Sequence, residues 1–362
     1  MKRRQFTLSL VAAGFLPGAR AATGAVQVAA SSPPSYEVLR LGTFQGGRSE
    51  AFALSSNRMA AGLVSFSIDG GYRPALFLPN QVPKPIYTDG PGEARGVNAR
   101  LETVGWFRQG SFTQAFRWRN DTLETLASLG GGHSYAAAIN NRSEIVGWSE
   151  AAPGASHAMY WQRDHLFVDL GTWGGYAAQA TGLNERGDIV GFREVVLNGI
   201  GVRQGVMYLR GKSPQLLPTP PGYECVVPSA INDQGVITGV VYPAANYLWG
   251  RRAFLYANGQ YTLFSSPYNF PTAGLSLNNK GQVVGYSFDQ GADPRNGATL
   301  WLDQGQTTAF LSPGYVPAIG GWYRLGDAWA INDAGVIVGT GRYMGPNYSS
   351  NATEAFMLVP KK

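Results

Sequence analysis

Ile139-Asn-Asn-Arg-Ser-Glu-Ile-Val-Gly147 states a nine-residue phrase that returns as Leu183-Asn-Glu-Arg-Gly-Asp-Ile-Val-Gly191 and Ile331-Asn-Asp-Ala-Gly-Val-Ile-Val-Gly339. Ile231 to Gly239 and Leu277 to Gly285 repeat it closely, Val97 to Gly105 more weakly, and Leu54 to Gly62 in decayed form. Asn opening a type I turn and Gly three residues later is ordinary turn chemistry. The Asn side chain can fold back on the backbone, and Gly accepts positive φ. With Ile, Leu and Val on either side, the phrase predicts a tight β-hairpin. Its closing Gly takes a place where a strand would normally carry a side chain, which suggests close backbone approach.

The closing glycines at 62, 105, 147, 191, 239, 285 and 339 are 43, 42, 44, 48, 46 and 54 residues apart. A period of roughly 40–50 residues with four strands per repeat is that of propeller blades. No 3.6-residue apolar period supports helical repeats. After each hairpin comes an Ala-centred strand, as in His157-Ala-Met-Tyr-Trp161 and Gln114-Ala-Phe-Arg-Trp118. A fourth strand then runs into glycines, as in Phe167-Val-Asp-Leu-Gly-Thr-Trp-Gly-Gly175. Calling the four strands A to D, Tyr36 to Phe44 is a D strand with nothing before it, and the last repeat stops at its C strand. The two remnants complete one sheet, which buries edges that would otherwise be open. The expected fold is therefore all-β: a seven-bladed β-propeller whose last blade is closed by the N-terminal strand.

Residues 1–21 read as an export signal, with Lys2, Arg3 and Arg4, an apolar stretch from Leu8 to Leu16, and Ala19-Arg20-Ala21 before cleavage. Arg3-Arg4-Gln5-Phe6 resembles a twin-arginine signal. Residues 22–35 form a flexible lead-in, and 36–362 a single domain. Expected locations are the periplasm or the extracellular space. The net charge of +6 falls to +2 once Lys2, Arg3, Arg4 and Arg20 are taken away, which is too little to imply a nucleic-acid partner. The apolar stretch is too short to span a bilayer. Cys225 is the sole cysteine, so no intramolecular disulfide forms.

The repeats resemble the HAF-repeat family of probable extracellular bacterial proteins. The residues that carry this are the Asn-x-x-Gly hairpins, His157-Ala-Met-Tyr-Trp161 and Asp169-Leu-Gly-Thr-Trp-Gly-Gly175. No intact His-Ala-Phe is present, and the D-to-A glycines fade in the later repeats. The resemblance implies an exported protein and little chemistry.

The chain lacks zinc-ligand spacing, a calcium loop, a nucleophile elbow and a phosphate-binding loop. No cofactor or metal is expected. Trp118, Trp161 and Trp301 recur at one place in the repeat and are expected to pack between blades. Insertions gather on the rim carrying the B–C and D–A connections, and they are rich in aromatic residues and arginine. Tyr, Trp and Arg are the usual anchors of binding surfaces. The candidate ligand-binding residues there are Tyr242, Tyr247, Trp249, Arg251, Tyr268, Tyr315, Trp322, Tyr323, Arg342 and Tyr343. The favoured reading is a monomeric, non-catalytic binding module for a protein, peptide or glycan. The alternative is a carbohydrate hydrolase or lyase whose carboxylates meet at the propeller axis.

Overall fold

Each repeated phrase folds as the hairpin at the inner edge of a four-stranded antiparallel sheet. In the third blade the order is A (Ser134–Ile139), B (Ile145–Ala152), C (Ala155–Trp161) and D (Phe167–Gly171). The computed structural model describes residues 34–66, 71–78, 81–87, 89–163, 166–246, 248–264, 270–288, 297–305, 307–311, 321–344 and 352–361. These residues form seven such sheets. The A strands of successive blades contact one another around the ring, which puts A innermost and D outermost. The protein is a seven-bladed β-propeller. The export signal expected at residues 1–21 lies outside the described residues.

The seventh blade joins the two ends of the domain. Trp322–Ile331, Ile337–Tyr343 and Ala352–Pro360 supply A to C, and Tyr36–Arg40 supplies D. The closing pair is antiparallel, from Tyr36 opposite Pro360 to Arg40 opposite Phe356. Arg40 also forms an ion pair with the buried Glu354.

The hairpin turn is built as its residues dictate. In the third blade Ser143 donates its N–H to the Asn140 carbonyl (3.1 Å), and Asn140 Oδ1 accepts from the backbone N–H of Arg142 and Glu144 (3.0 Å each). The residue three after the Asn adopts left-handed φ: Gly187 in the fourth blade at 83°, but Arg58 in the first at 67°. The Asn side chain does a second job. Nδ2 of Asn98, Asn140, Asn184, Asn232 and Asn278 each donates to the backbone carbonyl of the next blade's Asn, at 2.9–3.1 Å. Asn332 completes the circuit by donating to the Ser55 carbonyl of the first blade (3.1 Å). The phrase is thus both a turn and a clasp between neighbouring blades.

Strand A carries a β-bulge in every blade, at the third residue before the Asn (Ser55 in the first blade). The bulge explains the closing glycine on strand B. A Cβ on Gly147 would lie 1.9 Å from the Tyr135 carbonyl oxygen, and one on Gly339 1.9 Å from that of Asp327. Only a residue without a side chain fits beside the kinked strand. Outside the ring of A strands, apolar clusters fill the spaces between blades. Trp118, Trp161 and Trp301 are all buried there, in the packing role expected of them.

Segments expected as loop insertions in the fourth and seventh blades are regular structure. Residues 193–203 extend strands B (Ile189–Leu197) and C (Ile200–Tyr208) of the fourth blade into a long hairpin that turns at Asn198 and Gly199. In the seventh blade, Trp322 to Arg324 and Arg342 to Tyr343 are strand residues, with Trp322 facing Tyr343 and Arg324 facing Arg342 in one ladder and Tyr323 bulged out between them.

Candidate functional site

Two ends of the central channel differ in kind. On the rim of A–B turns the asparagine clasp narrows it, and the side chains one residue further on form a second chain of bonds. Glu185 N–H donates to Asp233 Oδ1 (2.9 Å), Asp233 N–H to Asn279 Oδ1 (2.9 Å), and Asn279 N–H to Asp333 Oδ1 (2.7 Å). These carboxylates are committed to joining blades, and the hollow they border is only about 270 Å³.

Toward the other rim the channel opens into a cavity of about 460 Å³. All seven bulged residues line it: Phe52, Arg95, Ala137, Thr181, Ser229, Leu275 and Trp329. A bulge re-aims its extra residue, so the device that excludes a side chain from strand B also furnishes this cavity. The Arg95 guanidinium stacks 4.2 Å from the Phe52 ring centre and 5.9 Å from that of Trp329. Its Nε donates to Glu93 (2.7 Å), which also accepts from Trp106 Nε1 (3.3 Å). Trp106, Tyr135 and Trp148 stack in succession at 6.0 and 5.9 Å between centroids. Burial pushes the Tyr135 hydroxyl upward, and the neighbouring Arg95 opposes the shift.

Trp329 is also a wall of a second hollow of about 390 Å³ on the same rim, with Leu248, Trp249, Arg251, Pro271, Tyr286, Phe288 and Asp327. Leu248, Trp249 and Phe288 are 51%, 43% and 47% exposed, so its mouth is apolar and accessible. Arg251 donates to the Tyr286 hydroxyl (3.1 Å) and lies 6.0 Å from the Tyr242 ring centre. The half-buried Asp327 is the only carboxyl among the described residues of either lining. Burial, with the charge of Glu50 in support and that of Arg324 in opposition, pushes its pKa up to about 6. Glu50 and Glu93 occupy the same register as Asp327, five residues before the turn residue, on the A strands of the first and second blades. Glu50 pairs with Arg48 and Glu93 with Arg95.

The rim residues expected from sequence divide accordingly. Trp249 and Arg251 line the rim hollow, and Tyr242 sits half-buried behind Arg251. Trp322 is not a rim residue. It is 2% exposed and packs edge-on against Tyr343 (5.3 Å) and Phe356 (6.0 Å), because the strand it begins runs inside the blade. The Arg40 guanidinium also lies over the Tyr343 ring, at 4.1 Å from its centre. Tyr323 is exposed and Arg342 lies on the ladder, but neither borders the two hollows. Tyr247, Tyr268 and Tyr315 fall outside the described residues. Phe52, Arg95, Tyr135, Trp148, Asp327 and Trp329 are the site residues that a reading of the loops misses.

A larger hollow of about 670 Å³ lies between the third and fourth blades on the opposite rim. Its centre is Glu144. Burial works to raise this carboxyl, but hydrogen bonds from Arg142, Asn140, Arg210 and Tyr160 outweigh it and hold the pKa at about 2. A carboxylate so fully engaged joins blades and is not available for a ligand.

Comparison with known proteins agrees on the class of protein that this architecture defines. No protein-family model matches the sequence, and no curated protein matches it significantly. Among solved structures the chain is similar to the β-propeller domain of the trilobed protease from Pyrococcus furiosus, with 8% identity, 86% of this chain and 93% of that one covered, and a TM-score of 0.55. It is similar to YCF48 bound to D1 peptide, with 10% identity, 91% and 96% coverage, and a TM-score of 0.50. TolB from Acinetobacter baumannii matches at 12% identity and a TM-score of 0.49 over 69% of this chain, which spans 62% of the TolB chain. The first two likenesses show the propeller fold and go no further. Among the described residues no helix is long and apolar enough to cross a membrane.

Proposed function

We propose that this protein is an exported, monomeric binding module of the HAF-repeat type that captures a ligand in the adjoining aromatic hollows on its B–C and D–A rim. One observation carries the reading. Trp329 borders both the axial cavity and the rim hollow, so the two adjoin, and a ligand resting on Leu248, Trp249 and Phe288 packs against the same indole that walls the axis. Ligand sites are typically apolar concavities of roughly 300–1,000 Å³ with a few polar groups. Both hollows fall in that range, and Arg95, Gln179 and Asp327 supply polarity. The test compares the mature protein with Trp249→Ala on glycan and peptide arrays. The expected result is loss of array signal by about tenfold or more, as for an anchoring aromatic, with an unchanged melting curve. Undiminished signal would refute the site.

The row formed by Asp327, Glu50 and Glu93 favours a second reading, a carbohydrate hydrolase or lyase. A carboxyl whose pKa is pushed up to about 6, in register with two others on neighbouring blades, is suited to general-acid work. Turnover of polysaccharides by the wild type that disappears in Glu50→Gln and Asp327→Asn would select this reading over simple capture.

A further inference from the structure

Glu144, in the hollow between the third and fourth blades, holds arginines from both of them. Arg142, in the A–B turn of the third blade, donates to Glu144 Oε2 from Nε (3.2 Å) and Nη2 (2.8 Å). Arg210, which follows strand C of the fourth blade, donates to Oε1, and the Tyr160 hydroxyl donates there too (2.9 Å). Glu102 and Asp188 occupy the same register in the adjacent blades, and each pairs with one arginine side chain among the described residues, Arg100 and Arg186. Gly187 makes room for the second guanidinium of the third blade, because a Cβ there would lie 2.0 Å from Arg210 Nη2. A guanidinium has five N–H donors. Glu144 takes only part of each set, and both arginine side chains remain about half exposed. Arg163, in the C–D turn of the third blade, is exposed and also lines the hollow. Asp188 accepts the Arg210 backbone N–H (3.1 Å) but is itself paired with Arg186. The described lining therefore carries three positive charges against one negative.

We infer that this hollow is a second binding site, for a phosphate or sulfate ester, with the oxyanion on Arg142, Arg163 and Arg210 and the organic body against Val168, Leu170 and Tyr208. Its volume of about 670 Å³ suits a small-molecule ligand. The surplus of positive charge selects an anion, and guanidinium forks match the oxygens of carboxylates and phosphates. Forks carried by three separate turns favour the tetrahedral group, which offers three oxygens in three directions where a carboxylate offers two in one plane. Glu144 does not compete for the ligand's place. Engaged by Asn140, Arg142, Tyr160 and Arg210, it fixes two of the forks in advance, so less side-chain freedom is lost on binding. Val168 is apolar and exposed beside these charges, which gives the organic body a wall to cover. The site lies on the rim of A–B and C–D turns and does not depend on the hollow at Trp249.

The experiment titrates the purified protein with phenyl phosphate, phenyl sulfate, benzoate, phenol and inorganic phosphate, by calorimetry and ligand-observed NMR. At about pH 7.5 a phosphate monoester carries close to two negative charges. The tighter of the two esters is expected to bind at least tenfold more tightly than phenol, and several-fold more tightly than benzoate or inorganic phosphate. Its binding should weaken as salt is raised from about 0.05 M to about 0.5 M. Arg163→Gln should weaken the ester by about tenfold, as loss of a charged hydrogen bond would, with its melting curve intact. Arg210→Gln should weaken it as much and also lower the melting temperature, because that side chain ties the two blades through Glu144. Arg108→Gln removes the same charge from an exposed strand end on the other rim and should change nothing. Failure of both esters to bind at millimolar concentration, equal binding of ester and phenol, or equal losses in Arg108→Gln and Arg163→Gln would each overturn the inference. Benzoate or inorganic phosphate binding as tightly as the esters would overturn the ligand class. Loss of ester binding in Trp249→Ala would place the ester in the opposite hollow and overturn this site.

Discussion

Replacing Asn232 tests whether the asparagine clasp holds the ring as its geometry requires. Asn232 is 6% exposed, and Oδ1 accepts from the N–H of Gln234 (3.1 Å) and Val236 (2.9 Å) while Nδ2 donates to the Asn278 carbonyl (3.1 Å). Ala removes all three bonds. The bond between blades is worth about 1 kcal/mol net, and each stranded backbone N–H costs about another 1 kcal/mol where water reaches it imperfectly. The expected loss is about 3 kcal/mol. Ser is a sharper probe, because the first blade already uses Ser55 here. Its Oγ accepts from Met59 N–H (3.0 Å) and so keeps the turn, whereas the crossing to the second blade is made by Asn57 to the Ala99 carbonyl (3.0 Å). Asn232→Ser should thus keep the bond from Val236 N–H and lose the bond to the next blade and the one from Gln234 N–H, about 2 kcal/mol. Reversible denaturant unfolding of both variants, checked by melting, gives the comparison. At about 1.5 °C per kcal/mol for a domain of this length, Ala should lower Tm by about 4–5 °C and Ser by about 3 °C. Equal losses, or an Ala cost below about 1 kcal/mol, would refute the two-part role of the side chain.

Three further outcomes follow from particular side chains. Trp322→Ala should destabilise the fold by about 3–5 kcal/mol, the usual cost of emptying a buried aromatic site, visible as a lower denaturation midpoint. Arg58 is exposed and held at φ 67°, so Arg58→Gly should gain about 1 kcal/mol by relieving left-handed strain, measured in the same way. Asp327→Asn should raise Tm at pH 7.5 and have no such effect at pH 4. The folded-state pKa of about 6 lies above the unfolded value, so the folded protein binds the proton more tightly. Stability then falls as pH rises from about 4 to about 6, and the penalty is complete above that window. An equal Tm gain at both pH values would mean that charge is not its source.

The architecture was legible because it is dictated locally and many times over. Asn184 and Gly187 specify one turn whatever surrounds them, and the same pair of instructions appears again at Asn232 and Gly235, Asn278 and Gly281, and Asn332 and Gly335. Ring closure was legible from the orphan strands at either end, since leaving Tyr36–Arg40 and Ala352–Pro360 unpaired would expose two edges. Trp322 was misread for the opposite reason. Nothing local distinguishes an aromatic residue in an insertion from one that begins a long strand. Its burial depends on the distant Phe356 and Tyr343.

The axial site was overlooked through a matter of phase. In a regular strand, residues two apart share a face, and the bulge interrupts that alternation in every A strand. The residue it ejects toward the axis is therefore displaced from where simple alternation places it. Yet comparison among the repeats marks the position. The residue before it in the A strand is small or Pro in all seven: Ala51, Ala94, Ala136, Ala180, Pro228, Gly274 and Ala328. The residue after it is also small, from Ala53 to Ala330, while the bulged residue itself ranges from Ala137 to Arg95 and Trp329. Small neighbours are what close packing of seven inner strands demands. The position freed from that demand is the one that can differ from blade to blade, and it is there that the cavity acquires Phe52, Arg95 and Trp329. The same distortion that forces glycine onto strand B gives each blade one inward-facing position able to hold a large or charged side chain. In this propeller, chemistry at the axis and the most rigid rule of the repeat have a single cause.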